Sequence, residues 1–253
     1  MGFLFNGTTS QSIGITARVV HSNKIPSVRN NTDTLSGKHG ILDFGATVAE
    51  RKIDLSCCIF PQKSEEEFLA IEDKVSEWLN PDKGLCELVL DDEPDRKYMA
   101  RLMEGVSIEK GIMHTGTFDL KFFCPDPFGY AIDDDEFSLT SSTDIKRTKG
   151  NVDSQPLYKI TGELADSAAS IAFSVNGETV RLYGPLAVGE TFEMDTENMT
   201  AKITDASGTE RNALGQLESL NFPYMVKGSN QITVGVEEGT LTALVVVARS
   251  RWL

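Results

Sequence analysis

The chain has few of the patterns that carry enzyme chemistry. No glycine-rich phosphate loop and no zinc-protease or serine-hydrolase motif occurs along its 253 residues. Its only histidines are His21, His39 and His114, and they are so widely spaced that surface or structural roles are the better prediction for each. We therefore expect no catalytic, metal-binding or cofactor-binding residue and no cofactor.

Clustered basic residues are also missing. With 24 Lys and Arg against 38 Asp and Glu, the formal net charge is -14, which argues against a surface that binds nucleic acid. The first 139 residues hold 14 basic and 24 acidic residues, and the remainder hold 10 and 14. An acidic surface repels DNA, so this charge suits a protein past which DNA moves without sticking.

Cysteine is scarce, and no long apolar run occurs. Cys57, Cys58, Cys86 and Cys124 contain no C-x-x-C pair, which predicts reduced core thiols rather than a disulfide frame or a zinc site. The N-terminal MGFLFNGTTSQ has no basic segment followed by an apolar core, so a secretory signal is not expected. No run reaches transmembrane length, and we expect a protein made in a cytoplasm.

One helix is predicted among many strands. Ser64 and Glu67 have the spacing of a capping box, and apolar residues then recur every three or four positions until Pro81 and Gly84 end the helix. Shorter alternating or apolar runs predict strands at residues 51–60, 85–90, 98–102 and 117–123.

The second half contains only strand patterns. Alternating residues up to Asn176-Gly177 predict a hairpin with a type I′ turn, and the apolar segment 241–248 predicts a central strand. Residues 131–155 are acidic, then rich in Ser and Thr, which is typical of a linker. We place a domain boundary near residue 137 and expect a β-sandwich or jelly roll after it.

The stretch LVLDDEPDRKYMARL, residues 88–102, holds four carboxylates: Asp91, Asp92, Glu93 and Asp95. Two carboxylates suffice for glycoside hydrolysis. Because apolar runs flank this stretch, we instead interpret it as two antiparallel strands joined by a polar turn centred on Pro94. Neither it nor the acidic run Asp133 to Glu136 has the spacing of a calcium-binding loop.

An alternative function is open at this point. The second half has aromatic residues that could form a platform for a sugar: Tyr158, Phe173, Tyr183, Phe192, Phe222, Tyr224 and Trp252. The protein could then bind, or less readily cleave, glycans at a host cell surface through its C-terminal sandwich.

Several segments follow one another in a characteristic order: FNGTTSQSIGI, SGKHGILDFG, the helix ending in Trp78-Leu79, LDDEPDRKYMARL and CPDPFGY. Together they resemble the N-terminal domain of siphophage distal tail proteins, often called Dit. In the second half, NVDSQPLYKITGE and FPYMVKGSNQITV resemble the C-terminal sandwich of that family. One departure is Ser36-Gly37-Lys38, where many relatives have Pro-Gly-Arg.

The resemblance implies a mainly β, non-enzymatic virion protein with two β-sandwich domains. Residues 1–137 would be the ring-forming domain, with one α-helix and a hairpin arm. Residues 138–253 would form an outward-facing jelly roll, similar to galectins or carbohydrate-binding modules.

Members of the family assemble as homo-hexamers at the distal end of a phage tail. The ring joins the tail tube protein to the tail tip or tail-associated adsorption protein, and genomic DNA passes through its channel without specific binding. The resemblance thus implies a baseplate hub with no membrane insertion, located in the virion after assembly in the host bacterial cytoplasm.

The resemblance also implies that a β-hairpin arm clasps the neighbouring subunit. The region from His21 to Gly45, rich in Asn, Thr, Gly and isolated charges, is the candidate for that arm. The candidate oligomer-interface residues are Arg29, Gly37, Lys38, His39 and Gly40.

Overall fold

The only α-helix, α1 (Glu65–Trp78), forms where the sequence predicts it, in a computed structural model that describes residues 1–253. The side chain of Ser64 caps it by accepting a hydrogen bond from the main-chain N–H of Glu67 at 3.2 Å. Three glutamates occupy the first turn, where the helix dipole favours negative charge. The buried face of the helix consists of Phe68, Ile71, Val75 and Trp78.

The chain forms two compact units, Met1–Ile132 and Asp133–Trp252. The first unit contains α1 and the strands β1 (Phe3–Phe5), β2 (Thr8–Thr9), β3 (Ile15–Ser22), β4 (Val28–Asp33), β5 (Leu42–Val48), β6 (Arg51–Ile59), β7 (Cys86–Leu90), β8 (Glu93–Leu102), β9 (Glu109–Lys110), β10 (Gly116–Cys124) and β11 (Gly129–Ala131). Two short 3-10 helices, Ser10–Ile13 and Pro81–Lys83, complete it.

Most strands of the first unit form one sheet with the order β2-β1-β7-β8-β10-β6-β3. The inward side chains of this sheet pack against α1 in a single apolar core. Trp78 joins the two layers, because its indole N–H donates to the Phe5 carbonyl at 2.9 Å and its ring stacks on Phe3 with 5.0 Å between centroids. Burial of each such side chain contributes about 1.5–3 kcal/mol to folding.

The turn between β7 and β8 lies earlier than the sequence predicts. Leu90 pairs with Glu93, so Asp91 and Asp92 alone make the turn and Pro94 lies inside β8. The pairing of β7 with β8 is irregular next to this turn, and proline is tolerated at such a position because it has no N–H to pair. The predicted turn centred on Pro94 is therefore wrong, although the two antiparallel strands are confirmed.

The second unit consists of strands and one short 3-10 helix, Leu214–Gln216. Its strands are β12 (Glu136–Leu139), β13 (Thr143–Arg147), β14 (Leu157–Leu164), β15 (Ser170–Val175), β16 (Glu178–Tyr183), β17 (Thr191–Asp195), β18 (Thr200–Thr204), β19 (Glu210–Asn212), β20 (Gly228–Glu237), β21 (Gly239–Val247) and β22 (Arg251–Trp252).

Two sheets form the second unit, one ordered β12-β21-β14-β17-β18-β19 and the other β13-β20-β15-β16. Inward residues of both sheets share one apolar core, which is the arrangement of a β-sandwich. The predicted hairpin turn is confirmed, since Asn176 and Gly177 have φ angles of 53° and 92°. The predicted central strand is β21, which pairs with β12 and β14, but only Leu244 and Val246 of its residues are buried.

The boundary between the units changes how the acidic charge is assigned. β12 begins at Glu136 and pairs with β21, so the acidic run Asp133 to Glu136 lies in the second unit. The first unit then has 20 acidic and 14 basic residues, and the second has 18 and 10. The excess of acidic over basic residues is six in the first unit and eight in the second. The larger acidic excess of residues 1–139 therefore depends on the run Asp133 to Glu136, which belongs to the second unit.

None of the helices has the length and apolar character needed to cross a bilayer.

Candidate assembly interface

The β4–β5 hairpin is the most exposed element of the first unit. Its two strands pair only with each other, with Val28 opposite Val48 and Asp33 opposite Leu42, and they take no part in the main sheet. At its base, the main-chain N–H of Ala49 donates to the Ser27 carbonyl at 2.8 Å. A hairpin is thus present in the predicted region, but it occupies residues 28–48 rather than His21 to Gly45, because His21 and Ser22 belong to β3 and pair with β6.

The hairpin carries large apolar side chains that its own chain does not cover. On β5, Ala46 and Val48 lie opposite Asn30 and Val28, but the pairing shifts between Asn30 and Thr32, so that Leu42 lies opposite Asp33. Val28 lies beside Val48 on the same face, because residues directly opposite each other project to the same side. Phe44 is 68% exposed and Val28 is 53% exposed. Exposed apolar patches of this kind mark interaction surfaces.

The candidate interface residues lie in two separate parts of this hairpin, its tip and its base. Gly37, Lys38, His39 and Gly40 form its tip, where positive φ angles of 80° and 88° at the two glycines allow the chain to reverse. Arg29 lies on β4 opposite Thr47, on the polar face near the base. All five residues are exposed.

A buried arginine holds the base of the hairpin. Arg51, the first residue of β6, is only 3% exposed, and its guanidinium donates to the carbonyls of Asn23 and Pro127, the latter at 2.7 Å. The guanidinium also lies over the ring of Tyr98, 5.4 Å from the centroid. Hydrogen bonds and a cation–π contact compensate the burial of the charge.

A carboxylate lies on the other side of Tyr98. Glu93 accepts a hydrogen bond from the Tyr98 hydroxyl at 2.6 Å and forms an ion pair with Lys24 at 2.5 Å. Burial raises the pKa of the Glu93 carboxyl, but the bonds from Lys24 and Tyr98 outweigh burial and hold that pKa below its ordinary value. Glu93 is therefore a charged partner of the hairpin base.

The segment CPDPFGY is folded around the same tyrosine. Asp126 accepts hydrogen bonds from the Phe128 main-chain N–H at 3.0 Å and from the Tyr130 hydroxyl at 2.6 Å. A side chain on Gly129 would come within 2.9 Å of the Tyr98 ring, so only glycine lets the two segments approach this closely.

The other carboxylates near Glu93 have structural surroundings. Asp91 accepts a hydrogen bond from the Gln11 amide at 3.2 Å, and Asp95 pairs with Arg96 at 3.0 Å. No group of three or more His, Cys, Asp or Glu residues is placed to hold a metal ion. The stretch that resembles a chemical site in sequence is thus a hairpin turn with one inward carboxylate.

The second acidic run ties down main-chain N–H groups. Asp134 accepts from the Ser250 N–H at 2.6 Å, and Asp135 accepts from the Thr148 N–H at 2.6 Å. Burial raises the pKa of Asp135, but the hydrogen bonds from Thr148 and Lys149 outweigh it and hold the pKa below its ordinary value. These carboxylates stabilise the start of the second unit.

The aromatic residues of the second unit do not form an exposed platform. Tyr158, Phe173 and Phe192 are fully buried, and the rings of Tyr158 and Phe173 lie 4.9 Å apart. Tyr224, at 42% exposed, is the most accessible aromatic of this unit. Core packing therefore explains the strongest aromatic positions in the sequence.

The cysteines and histidines lie apart from one another. Cys57, Cys86 and Cys124 are buried and unpaired, and burial raises the pKa of Cys57 and of Cys124 to about 12. A thiol with so high a pKa is a poor nucleophile. The three histidines are exposed and belong to three different segments of the first unit.

Sequence reasoning missed two parts of this region. The exposed apolar residues of β5 could have been found from the sequence, because apolar residues alternate with small or polar ones from Leu42 to Val48. The contact between Arg51 and Tyr98 could not, because these residues lie 47 positions apart and meet only when β6 and β8 join one sheet.

Comparison with known proteins agrees with the resemblance seen in the sequence. Residues 7–124 match the family model of the phage tail protein RIFT-related domain. This match begins at the β1–β2 turn, includes the β4–β5 hairpin and ends with β10. No curated protein sequence matches the chain.

One solved phage structure matches the fold over the whole chain. The SPP1 Dit protein, described as a paradigm of the hub adsorption apparatus in phages that infect Gram-positive bacteria, aligns over 100% of this chain and 99% of its own, with 14% identity and a TM-score of 0.76. The phage P2 baseplate in its activated conformation with Ca aligns over 91% and 89%, with 12% identity and a TM-score of 0.47. The resemblance to siphophage distal tail proteins is confirmed, and the mainly β fold is that of SPP1 Dit.

Proposed function

We propose that this chain, whose first unit carries a phage tail protein RIFT-related domain and whose whole length has the fold of a siphophage distal tail protein, is a tail hub. Six copies form a ring at the distal end of the tail, between the tail tube and the tail tip or baseplate. DNA passes through the central channel. The role is structural, and the protein is part of the virion.

The observation that carries this proposal is the uncovered hairpin on the phage-tail domain. Between Ile25 and Val48, six large apolar residues are exposed to at least 36% and none is buried by its own chain: Ile25, Val28, Leu35, Ile41, Phe44 and Val48. An apolar patch of this kind needs a partner surface.

A second copy is the partner that this geometry favours. In the proposed ring the hairpin contacts a different surface of the next copy, which makes the contact heterologous. Heterologous contacts close into rings when the rotation between copies divides a full turn. The first unit would build the ring through its hairpin, and the second unit would face outward.

Electron microscopy of the purified full-length protein tests the assembly. We expect six-fold rings with a central hole, in equilibrium with smaller species that sedimentation velocity resolves. Uniform monomers at all accessible protein concentrations would contradict the hub function.

A loop exchange tests the hairpin. Residues 28–48 can be replaced by two glycines, because Ser27 and Ala49 already lie within hydrogen-bonding distance of each other. We expect this variant to fold with an unchanged helix signal and to remain monomeric. Rings of equal stability in this variant would show that the hairpin is not the interface.

A further inference from the structure

Three segments that are far apart in sequence meet at the base of the β4–β5 hairpin. They are the start of β6 at Arg51, just after the hairpin, the stretch from Glu93 to Tyr98, and the segment around Pro127. We propose that Arg51 and Glu93 are positioning residues that fix the direction in which the hairpin leaves the first unit, and that ring assembly requires this fixed direction. The assembly part of this inference rests on the proposed hub function.

The hairpin would be free to swing if its main chain alone held it. β4 and β5 form no hydrogen bonds with the main sheet, and only the chain segments on either side of the hairpin connect it to the unit. The first connection comprises residues 23–27, in which Pro26 is buried, and the second comprises Ala49 and Glu50. Contacts made by these two connections, and by Arg51 where β6 begins, therefore decide where the hairpin points.

Arg51 ties both connections to the same point. It begins β6 directly after the outgoing connection, and it donates to the carbonyl of Asn23 in the incoming one. Its bond to the Pro127 carbonyl anchors the pair to the CPDPFGY segment. A planar guanidinium can satisfy two carbonyls at a fixed angle, which a lysine ammonium does not reproduce.

Glu93 makes a second contact with the incoming connection, through Lys24, the residue after Asn23. Its side chain is only 12% exposed, whereas that of its partner Lys24 is 80% exposed. The carboxylate is held in place by the Tyr98 hydroxyl, and Tyr98 is in turn covered by Arg51. The rigid partner is thus part of the unit, and the flexible partner is the chain that leads into the hairpin.

Label distances measure the direction of the hairpin. One spin label at Ser36→Cys marks the tip and another at Ser76→Cys marks α1, in a Cys58→Ser background that removes the half-buried native thiol. Dilution with excess unlabelled protein restricts the measurement to pairs within one chain. We expect one narrow distance distribution in the parent, and clear broadening in Lys24→Met and in Arg51→Lys.

Ring stability gives the second readout. We expect the protein concentration at half-dissociation to rise about threefold in Lys24→Met, as for one partly exposed ion pair. We expect a rise of about tenfold in Arg51→Lys, which loses a buried hydrogen bond. Lys24→Met is expected to leave the melting temperature unchanged, so loss of the fold does not explain its effect.

Lys97→Met is the matched control. It removes the same charge and one lysine–glutamate pair, with Glu87, from the neighbouring β7–β8 hairpin. We expect it to leave both the label distances and the rings unchanged.

Two results would overturn the inference. The first is a distribution of label-to-label distances that stays narrow in both Lys24→Met and Arg51→Lys. The second is a parent that forms rings and two variants whose rings are equally stable. A parent that forms no rings would instead contradict the hub function, and the label distances would still decide whether Arg51 and Glu93 position the hairpin.

Discussion

The β4–β5 hairpin of the first unit and the β15–β16 hairpin of the second have the same design in sequence and opposite fates in the structure. Each is antiparallel, has a glycine with positive φ in its connection and carries large apolar side chains, although only the pairing of β4 with β5 shifts in register. In β15–β16 the inward residues Phe173 and Val180 are no more than 1% exposed, whereas Phe44 of β5 is 68% exposed. Apolar residues that recur along a strand therefore indicate a surface that needs to be covered, but they do not show which chain covers it.

The largest expected effect is on the covered hairpin. Phe173→Ala removes a ring that packs against Tyr158 in the sandwich core, and such a change costs about 3–5 kcal/mol of unfolding free energy. Denaturant unfolding of the full-length protein measures it. A loss below about 1 kcal/mol would mean that the core collapses around the gap, and that the two hairpins differ less than their burial indicates.

The same substitution on the exposed hairpin should act on assembly instead. Phe44→Ala is expected to change the unfolding free energy of the dissociated chain by less than about 0.5 kcal/mol, because the ring touches no core. Ring formation should be lost at concentrations where the parent assembles, as seen by sedimentation. Val188→Ala, at a valine that is 78% exposed in the second unit, is the control and should leave the rings intact. If Phe44→Ala assembles as well as the parent, Phe44 is not part of the interface.

The smallest expected effect is that of a Gly→Ala substitution in the turn of each hairpin. Gly177 and Gly40 have φ angles of 92° and 88°, so alanine is strained by about 1 kcal/mol at either position. Gly177→Ala should lower the free energy of global unfolding by that amount, because its hairpin is part of the sandwich. Gly40→Ala should leave global unfolding unchanged and loosen only the hairpin, which hydrogen exchange of residues 28–48 detects. Equal losses in both variants would show that the β4–β5 hairpin unfolds together with the core.

Local patterns predicted the elements whose information lies within a few residues. The capping pair Ser64 and Glu67 marked the start of α1, and Asn176-Gly177 marked the turn of β15–β16. The turn near Pro94 was misplaced, because proline signals a break without showing on which side of it the pairing closes. That pairing is set by Leu90 and Glu93, which meet only in the folded sheet.

The amino-acid sequence by itself determined the mainly β class, the one helix, the sandwich of the second half and the resemblance to phage tail proteins. These features depend on side-chain period, capping and turn residues, which act over short distances along the chain. Only the tertiary structure decided that Phe44 of β5 is left uncovered and that Glu93, alone among its neighbouring carboxylates, faces Lys24 and Tyr98. Burial and ion pairing depend on which distant strands become neighbours, and that is a property of the whole fold.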